Sequence, residues 1–240
     1  MTIAQILSTT THRPYPMPQG AWRFYQEWNR AVFMHWQVQA DDVRNLVPEE
    51  LELDLFEGNA WISAVAFSME GIRPAYLPAL SFVSKFHEIN IRTYVKHQGK
   101  TGVYFLSIEA GNKFSCLLAQ QLSALPYRYS TLTRNDQTYL AENAKLQDHL
   151  QLQYKLGDAI TQKSKLDVFL TERYALFHKK LKQFYAYDIH HIEWPLRHCE
   201  PVSLHINYPR FSKLIGRMPD LMQYSSGVQV LSFERKILVR

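Results

Sequence analysis

Residues 86–95 alternate apolar and polar side chains with a period of two, which is the pattern of a β-strand. One row is Ile89, Ile91, Thr93 and Val95, with His87 at its start, and the polar row is Glu88, Asn90, Arg92 and Tyr94. The stretch lies mid-chain between other apolar runs, which favours a central strand. A central strand with such a polar face indicates a lined cavity, where charges are paired or hydrated. Alternation alone also allows the solvated face of an open sheet.

Similar patterns elsewhere predict roughly ten strands and two or three helices. Residues 51–56 and 60–69 alternate on either side of Glu57-Gly58-Asn59, which predicts a β-hairpin. Residues 42–46 and 114–125 have helical spacing, and Pro126 ends the second of these helices. Residues 135–150 are polar and rich in turn formers. The sequence therefore predicts a mainly β protein with a few helices, an α+β arrangement.

The chain is predicted to contain one domain after a short lead-in. Pro14, Pro16 and Pro18 forbid regular pairing, so residues 1–20 are expected to be an extended N-terminal segment. From residue 21 to 240 we find no internal repeat and no break in composition. One β-rich domain fits this stretch, with its helices laid against or between the sheets.

Composition narrows the functional classes. The 14 Tyr, 13 Phe and 5 Trp favour sheets and ring-lined pockets, while the 9 glycines form neither phosphate-binding loop motif. The net charge of +5 is spread along the chain, and no nucleic-acid-binding motif accompanies it, so no nucleic-acid partner is expected. No apolar run of about 18 residues occurs, so no membrane span is expected. The two cysteines, Cys116 and Cys199, lie far apart, and a reducing, cytoplasmic setting is the default.

Several side chains are candidates for chemistry or association. Glu88 and Arg92 stand about 13 Å apart along a strand, so Asn90 could bridge them, or each could take a partner from a neighbouring strand. The alternative is a polar network that closes a barrel interior. No metal or other cofactor is expected, because His190, His191, His198 and His205 match no compact zinc pattern. The aromatic residues Trp22, Tyr25 and Trp28 suggest a homo-oligomer, although core packing explains them equally well.

A series of short motifs resembles the YqjF-like family of uncharacterised bacterial proteins, a domain-of-unknown-function family (2071). The motifs are Phe33-x-His35-Trp36, Leu46-Val47-Pro48, Leu51-Glu52-Leu53-Asp54, Ala60-Trp61, Phe67-x-Met69, Arg73-Pro74, Glu88-x-Asn90-x-Arg92-Thr93-Tyr94-Val95, Gly102-Val103-Tyr104-Phe105, Leu125-Pro126-Tyr127, Glu172-Arg173-Tyr174 and Trp194-Pro195-Leu196. They occur in order over about 170 residues of the chain.

This family is similar in turn to acetoacetate decarboxylase. The resemblance implies an antiparallel barrel or double sheet that encloses a cavity, with a glutamate on a central strand at Glu88. It also implies that the paired lysines of the decarboxylase fall on Tyr127 and Arg128. Tyrosine has no amine and arginine stays protonated, so Schiff-base decarboxylation is not expected here.

The resulting expectation is a pocket for a small anionic or carbonyl compound. Glu88 would be the acid/base, and Tyr127 would donate a hydrogen bond to a developing oxyanion. The substrate-binding residues would be Asn90, Arg92, Tyr94 and Arg128, with the two arginines as anion clamps. The alternative is a non-catalytic ligand-binding or interaction protein on the same fold. The sequence alone does not name the ligand or the reaction.

Overall fold

The structure is a computed structural model that describes residues 1–80 and 84–239. Its fourteen described strands are β1 Phe24–Val38, β2 Glu52–Leu53, β3 Ala60–Pro74, β4 Phe86–His97, β5 Lys100–Ala110, β6 Tyr127–Tyr129, β7 Thr131–Asn135, β8 Thr138–Asn143, β9 Asp148–Ala159, β10 Ala175–Lys180, β11 Gln183–His190, β12 Leu196–Asn207, β13 Leu221–Ser232 and β14 Lys236–Val239. The described helices are α1 Ile3–Ser8, α2 Ala40–Arg44, α3 Lys113–Ser123, α4 Lys165–Thr171 and α5 Ser212–Ile215, with a 3₁₀ turn at Pro209–Phe211.

Seven strands form a ring. The pairing runs β11, β10, β5, β4, β3, β1, β13 and back to β11. All these pairs are antiparallel except β5–β10, which is parallel. A Cβ on Gly102 would lie 2.5 Å from the carbonyl oxygen of Ala175, so this junction requires glycine for the two backbones to approach. The predicted mainly β fold class is confirmed, and the sheet forms a ring of strands.

The alternation along β4 separates two cores. Ile89 and Ile91 belong to a buried cluster outside the ring, where they pack with Tyr139 and Leu152 of a four-stranded extension. This extension continues from β13 through β12, β9, β8 and β7. The opposite row of β4 faces the ring interior, where Phe33 and Val65 belong to a second buried cluster. Both faces of β4 are therefore covered, as expected for a central strand.

Two sequence-based assignments differ from the structure. The predicted hairpin of residues 51–56 with 60–69 is wrong: β2 pairs with the end of β4, at Val95 and Lys96. The reason is that β1 and β4 already occupy the two edges of β3. Residues 135–150 contain turns, as expected, but they also contain β8 and the start of β9. Buried Tyr139, Ala141 and Leu150 alternate there with more exposed residues.

The N-terminal lead-in is not extended throughout. Thr2 caps α1 through a capping box with Gln5, and Ile6 is buried against Tyr25 and Leu231 of the sheet. The aromatic residues considered for self-association also pack inward. Tyr25 is buried and Trp22 is partly buried in the same small cluster. They therefore give no support to a homo-oligomer.

Candidate functional site

The polar row of β4 faces a cavity inside the ring. The cavity has a volume of about 850 Å³, and Glu88, Asn90 and Arg92 all line it. β4 lies between β3 and β5, which place Phe67 and Phe105 on the same cavity wall. The polar row is therefore a cavity lining and not the wet face of an open sheet.

Glu88 is a buried carboxyl group with two side-chain hydrogen bonds. The Tyr127 hydroxyl donates to its Oε2 at 3.0 Å, and the Asn90 amide donates to its Oε1 at 3.3 Å. Burial raises the pKa of Glu88 to about 7, although the two hydrogen bonds act in the opposite direction. Burial, followed by the nearby Glu88 charge, raises the pKa of Tyr127 well above its usual value. Tyr127 is therefore a fixed donor, while Glu88 exchanges its proton near neutral pH.

Arg92 is a buried cation whose charge has no carboxylate partner among the described residues. Its Nη2 donates to the carbonyl oxygen of Leu170 at 3.2 Å. Its buried Nε has no hydrogen-bond partner in the described part of the chain. Burial lowers the pKa of Arg92, but a guanidinium remains charged in a protein. A buried charge without an ion pair is costly, and a ligand anion would offset that cost.

The neighbouring cation, Arg173, is neutralised by contrast. It also lines the cavity, but its Nη1 lies 2.5 Å from Asp54 Oδ2 in a largely buried ion pair. Its Nε donates to the carbonyl oxygen of Phe169 at 2.6 Å. Arg92 therefore carries the positive charge that the protein itself leaves unbalanced at this end of the cavity.

Tyr94 supports the site from behind the cavity wall. Its hydroxyl donates to the same Leu170 carbonyl oxygen at 2.8 Å and lies 2.5 Å from Ser63 Oγ. Its ring centroid is 6.0 Å from the Arg92 guanidinium carbon. Contrary to expectation, Tyr94 is not among the residues that line the cavity: it is buried, with its ring centroid 5.0 Å from that of Phe169 on helix α4. It fixes the carbonyl that orients Arg92.

Arg128 does not share the cavity. The short strand β6 pairs in parallel with β5, with Tyr127 opposite Ile108 and Arg128 opposite Glu109. Adjacent strand residues point to opposite faces, so Tyr127 faces Glu88 and Arg128 faces outward. The Arg128 guanidinium donates to Ser107 Oγ at 3.4 Å on that outer side. The prediction that Arg128 is an anion clamp beside Glu88 is therefore wrong.

Two buried histidines, one near Arg92 and one in the cavity wall, were not among the predicted site residues. His35 lies next to Ser63, with its Nδ1 2.6 Å from Ser63 Oγ. Burial, and then the Arg92 charge, lower the pKa of His35 to about 3. His191 lines the cavity, and burial lowers its pKa to about 4. Both are neutral near pH 7. Alternation along β1 could have placed His35 inside, on the same face as Phe33.

The Glu172-Arg173-Tyr174 motif supports the cavity wall, of which Arg173 is a lining residue. Buried Glu172 accepts hydrogen bonds from Lys163 Nζ at 2.7 Å, the Trp194 backbone N–H at 3.0 Å and the Tyr174 hydroxyl at 2.5 Å. These contacts hold Trp194 in the cavity wall, where it packs edge-on against Phe33. The Glu172 carboxylate thus has its hydrogen-bond donors within the protein, and its role is structural.

Within residues 1–80 and 84–239, no group of three or more His, Cys, Asp or Glu side chains is arranged to hold a metal ion. His198 and His205 are exposed, and His190 contacts the lead-in segment. No lysine occurs among the described residues that line the cavity. In this same part of the chain, no helix has the length and apolar content needed to cross a membrane.

Comparison of the sequence with known proteins shows the family of this chain. Residues 25–229 match the model of the DUF2071 family, described as an uncharacterized conserved protein. The chain belongs to the DUF2071 family. It is 35% identical over 191 residues to the uncharacterized protein YqjF of Bacillus subtilis, covering 77% of this chain and 79% of that protein.

Solved structures show that the DUF2071 chain shares the acetoacetate decarboxylase fold. It is similar to the acetoacetate decarboxylase of Legionella pneumophila, with a TM-score of 0.63, 11% sequence identity, and coverage of 98% of this chain and 95% of that one. It is also similar to the enduracididine biosynthesis enzyme MppR complexed with pyruvate, with a TM-score of 0.59, 11% identity, and coverage of 95% and 94%. At these identities the likeness shows the fold alone.

Proposed function

We propose that this protein binds a small carboxylate- or carbonyl-bearing compound in the cavity. The observation that carries the proposal is Arg92, a buried cation with a free Nε and no carboxylate partner among the described residues. A ligand carboxylate would replace that missing partner with charge-assisted hydrogen bonds. The fold of MppR accommodates pyruvate, which has both functional groups, and this is compatible with such a ligand.

Glu88 and Tyr127 would supply proton transfer in the same cavity. A carboxyl group with a pKa of about 7 is present in both protonation states near neutral pH, as a general acid/base requires. Tyr127 would donate a hydrogen bond, and it cannot form a Schiff base. The proposed chemistry is therefore proton exchange at a carbon next to a carbonyl group. Binding without turnover is the second candidate, because both oxygens of Glu88 already accept hydrogen bonds within the protein.

Isothermal titration calorimetry with a panel of carboxylic and oxo acids tests the binding site. The Arg92→Met variant should bind them at least about tenfold more weakly than the wild type, since a hydrogen bond to a charged group contributes roughly 1.5–3 kcal/mol. Arg128→Met is the matched control and should bind as the wild type does. Equal binding by Arg92→Met and wild type would remove the basis of the proposal.

Deuterium exchange separates an enzyme from a binding protein. In heavy water, the wild type should exchange the hydrogens next to the carbonyl group of a bound oxo acid, observed by proton NMR, and Glu88→Gln should not. An oxo acid that binds but shows only the buffer exchange rate would favour the non-catalytic candidate.

A further inference from the structure

The cavity is elongated along β4. Phe86, Glu88, Asn90 and Arg92 occupy successive inward positions and all line it. At about 3.3 Å per residue, Phe86 and Arg92 lie roughly 20 Å apart, and Glu88 and Arg92 roughly 13 Å apart. The two side chains therefore start from well-separated backbone positions along the cavity.

The Arg92 end of the cavity is buried, with Arg92 8% exposed and Arg173 7% exposed. Arg92 and Tyr94 both donate to the carbonyl oxygen of Leu170, at the end of helix α4. Arg173 lies beside them and is tied to Asp54. The cation is thus placed at the inner end of the cavity.

The opposite end is bordered by exposed apolar side chains, which we call the mouth: Tyr76, Leu77, Leu80 and Leu118. Tyr76 is 87% exposed and Leu77 is 57% exposed. The first three follow β3, and Leu118 is on helix α3, which follows β5. Because β3 ends and β4 begins at this edge, the mouth lies near Phe86 and far from Arg92.

Charged groups also border the mouth, but they are already engaged. Arg23 forms an exposed ion pair with Glu234 at 2.7 Å. Arg73 stacks over the ring of Tyr25, with its guanidinium carbon 4.7 Å from the centroid, and Arg235 over Tyr185 at 5.3 Å. Exposed pairs gain little in water, so the buried Arg92 offers a carboxylate the larger gain.

The wall between the two ends is largely hydrocarbon. Phe33, Phe67, Phe105, Leu176 and Trp194 line it, interrupted chiefly by the Glu88–Asn90–Tyr127 group. Cavities of roughly 300–1,000 Å³ bury drug-sized ligands, and this one, at about 850 Å³, is in the upper part of that range. A very small acid would leave most of the apolar wall without contacts.

We propose that the occupant is an elongated monocarboxylic acid, with its carboxylate at Arg92 and its hydrocarbon chain running past Glu88 toward the mouth. This inference rests on the proposed function, because it requires the carboxylate site at Arg92. To the proposed function it adds the chemical class of the ligand. The apolar wall and mouth select a medium- or long-chain acid over a short one.

A homologous series tests the ligand class. Butanoic, hexanoic, octanoic, decanoic and dodecanoic acids are titrated below their micelle concentrations by calorimetry. Affinity should rise about three- to fourfold per added methylene until the cavity is filled. Arg92→Met should weaken every member by a similar factor and leave this increment unchanged, because the chain contacts remain.

Two leucines on one helix supply a matched pair of variants. Leu118 lines the mouth, whereas Leu117 is not among the lining residues of the cavity. Both side chains are exposed, Leu117 at 52% and Leu118 at 37%. Leu118→Ser should weaken binding of dodecanoic acid but not of hexanoic acid. Leu117→Ser should change neither, which also controls for nonspecific association of long chains.

The outcomes separate the two proposals. Equal affinity for all chain lengths, with the Arg92→Met loss retained, overturns the elongated acid and leaves the carboxylate site. No binding of any acid at any length overturns the proposed carboxylate site itself. A rise with chain length that is insensitive to Arg92→Met overturns the assigned orientation, because the carboxylate would then lie at the mouth arginines.

Discussion

The Tyr127 hydroxyl on β6 donates to Glu88 Oε2 on the central strand β4 at 3.0 Å, across the intervening strand β5. Tyr127 reaches this position because the parallel pairing of β6 with β5 sets it opposite Ile108, on the cavity side. The bond stabilises the ionised form of Glu88, while burial favours the neutral form. Burial has the larger effect, so the carboxyl group titrates about where a cell maintains its pH.

Glu88 should make stability fall as pH rises toward neutrality. In the unfolded chain this carboxyl group loses its proton near pH ~4.3, whereas in the folded protein it holds the proton up to about pH 7. Its stabilisation is thus full below the unfolded pKa and lost as pH rises through the folded pKa. Denaturant unfolding should show Glu88→Gln gaining roughly 2–4 kcal/mol relative to wild type between pH 4 and 8.

Comparison with the wild type at each pH isolates this effect. His35 and His191 have lowered pKa values and change stability in the opposite direction as pH falls, but they do so in both proteins. Exposed Glu49→Gln is the control and should differ from wild type by less than about 0.5 kcal/mol throughout. A Glu88→Gln difference that does not vary with pH would mean that Glu88 titrates normally.

Removing the Tyr127 hydroxyl should raise the pKa of Glu88 further. The bond favours the charged carboxylate, and a hydrogen bond to a charged group is worth roughly 1.5–3 kcal/mol, or about one to two pKa units. Carbon-13 NMR of labelled glutamate in Tyr127→Phe should record this rise. Tyr139→Phe is the matched control, since that hydroxyl donates to the backbone oxygen of Glu88 at 2.9 Å. Equal shifts in both variants would contradict a specific carboxylate bond.

Sequence patterns predicted the part of the site that depends on one strand. The period of two along β4 correctly grouped Glu88, Asn90 and Arg92, and their burial follows from the central place of the strand. The same period over residues 127–129 assigns Tyr127 and Arg128 to opposite faces, which agrees with Arg128 lying outside the cavity.

Other features depend on contacts between segments that are far apart in the sequence, and the periodicity within one segment does not predict such contacts. Nothing local indicates that Asp54 neutralises Arg173, 119 residues away, and leaves Arg92 as the unbalanced cation. The pairing of β2 with β4 is of the same kind, because it depends on β1 occupying the edge of β3 that a hairpin would need. The closed ring likewise requires Gly102 to admit β10.

The Asp54–Arg173 pair should contribute strongly to stability. The side chains of Arg173 and Asp54 are only 6% and 16% exposed, so removing one partner leaves a charge that water barely reaches. Asp54→Asn should lower the free energy of unfolding by roughly 2–4 kcal/mol. The exposed pair of Arg23 and Glu234 is the control, and Glu234→Gln should cost less than about 1 kcal/mol. Similar costs for the two variants in chemical denaturation would contradict this ranking.

The lead-in segment should loosen in mild acid. Arg13 Nη1 lies 3.0 Å from His190 Nδ1, and because arginine only donates, Nδ1 is the acceptor and Nε2 donates to the Ile6 carbonyl oxygen at 2.7 Å. Burial lowers the pKa of His190. This stabilisation is therefore full above the ordinary histidine pKa of about 6.5 and lost as pH falls toward the folded value.

Hydrogen exchange measured by mass spectrometry checks this pH dependence. After correction for intrinsic rates, residues 1–12 should be less protected at pH 5 than at pH 7.5. His190→Gln, which offers an acceptor and a donor but does not titrate, should reduce the difference. Exposed His205→Gln should retain it. Equal protection of the wild-type segment at both pH values would show that His190 does not control it.

The most direct test of the account is a crystal structure with a long-chain acid that carries bromine at the end remote from its carboxylate. Anomalous scattering locates the bromine, and the electron density locates the carboxylate. We expect the carboxylate within hydrogen-bonding distance of Arg92 and the bromine at the mouth, near Leu118. A bromine beside Arg92, or an acid bound outside the cavity, would contradict the claim that Arg92 is the anchor of a carboxylate site.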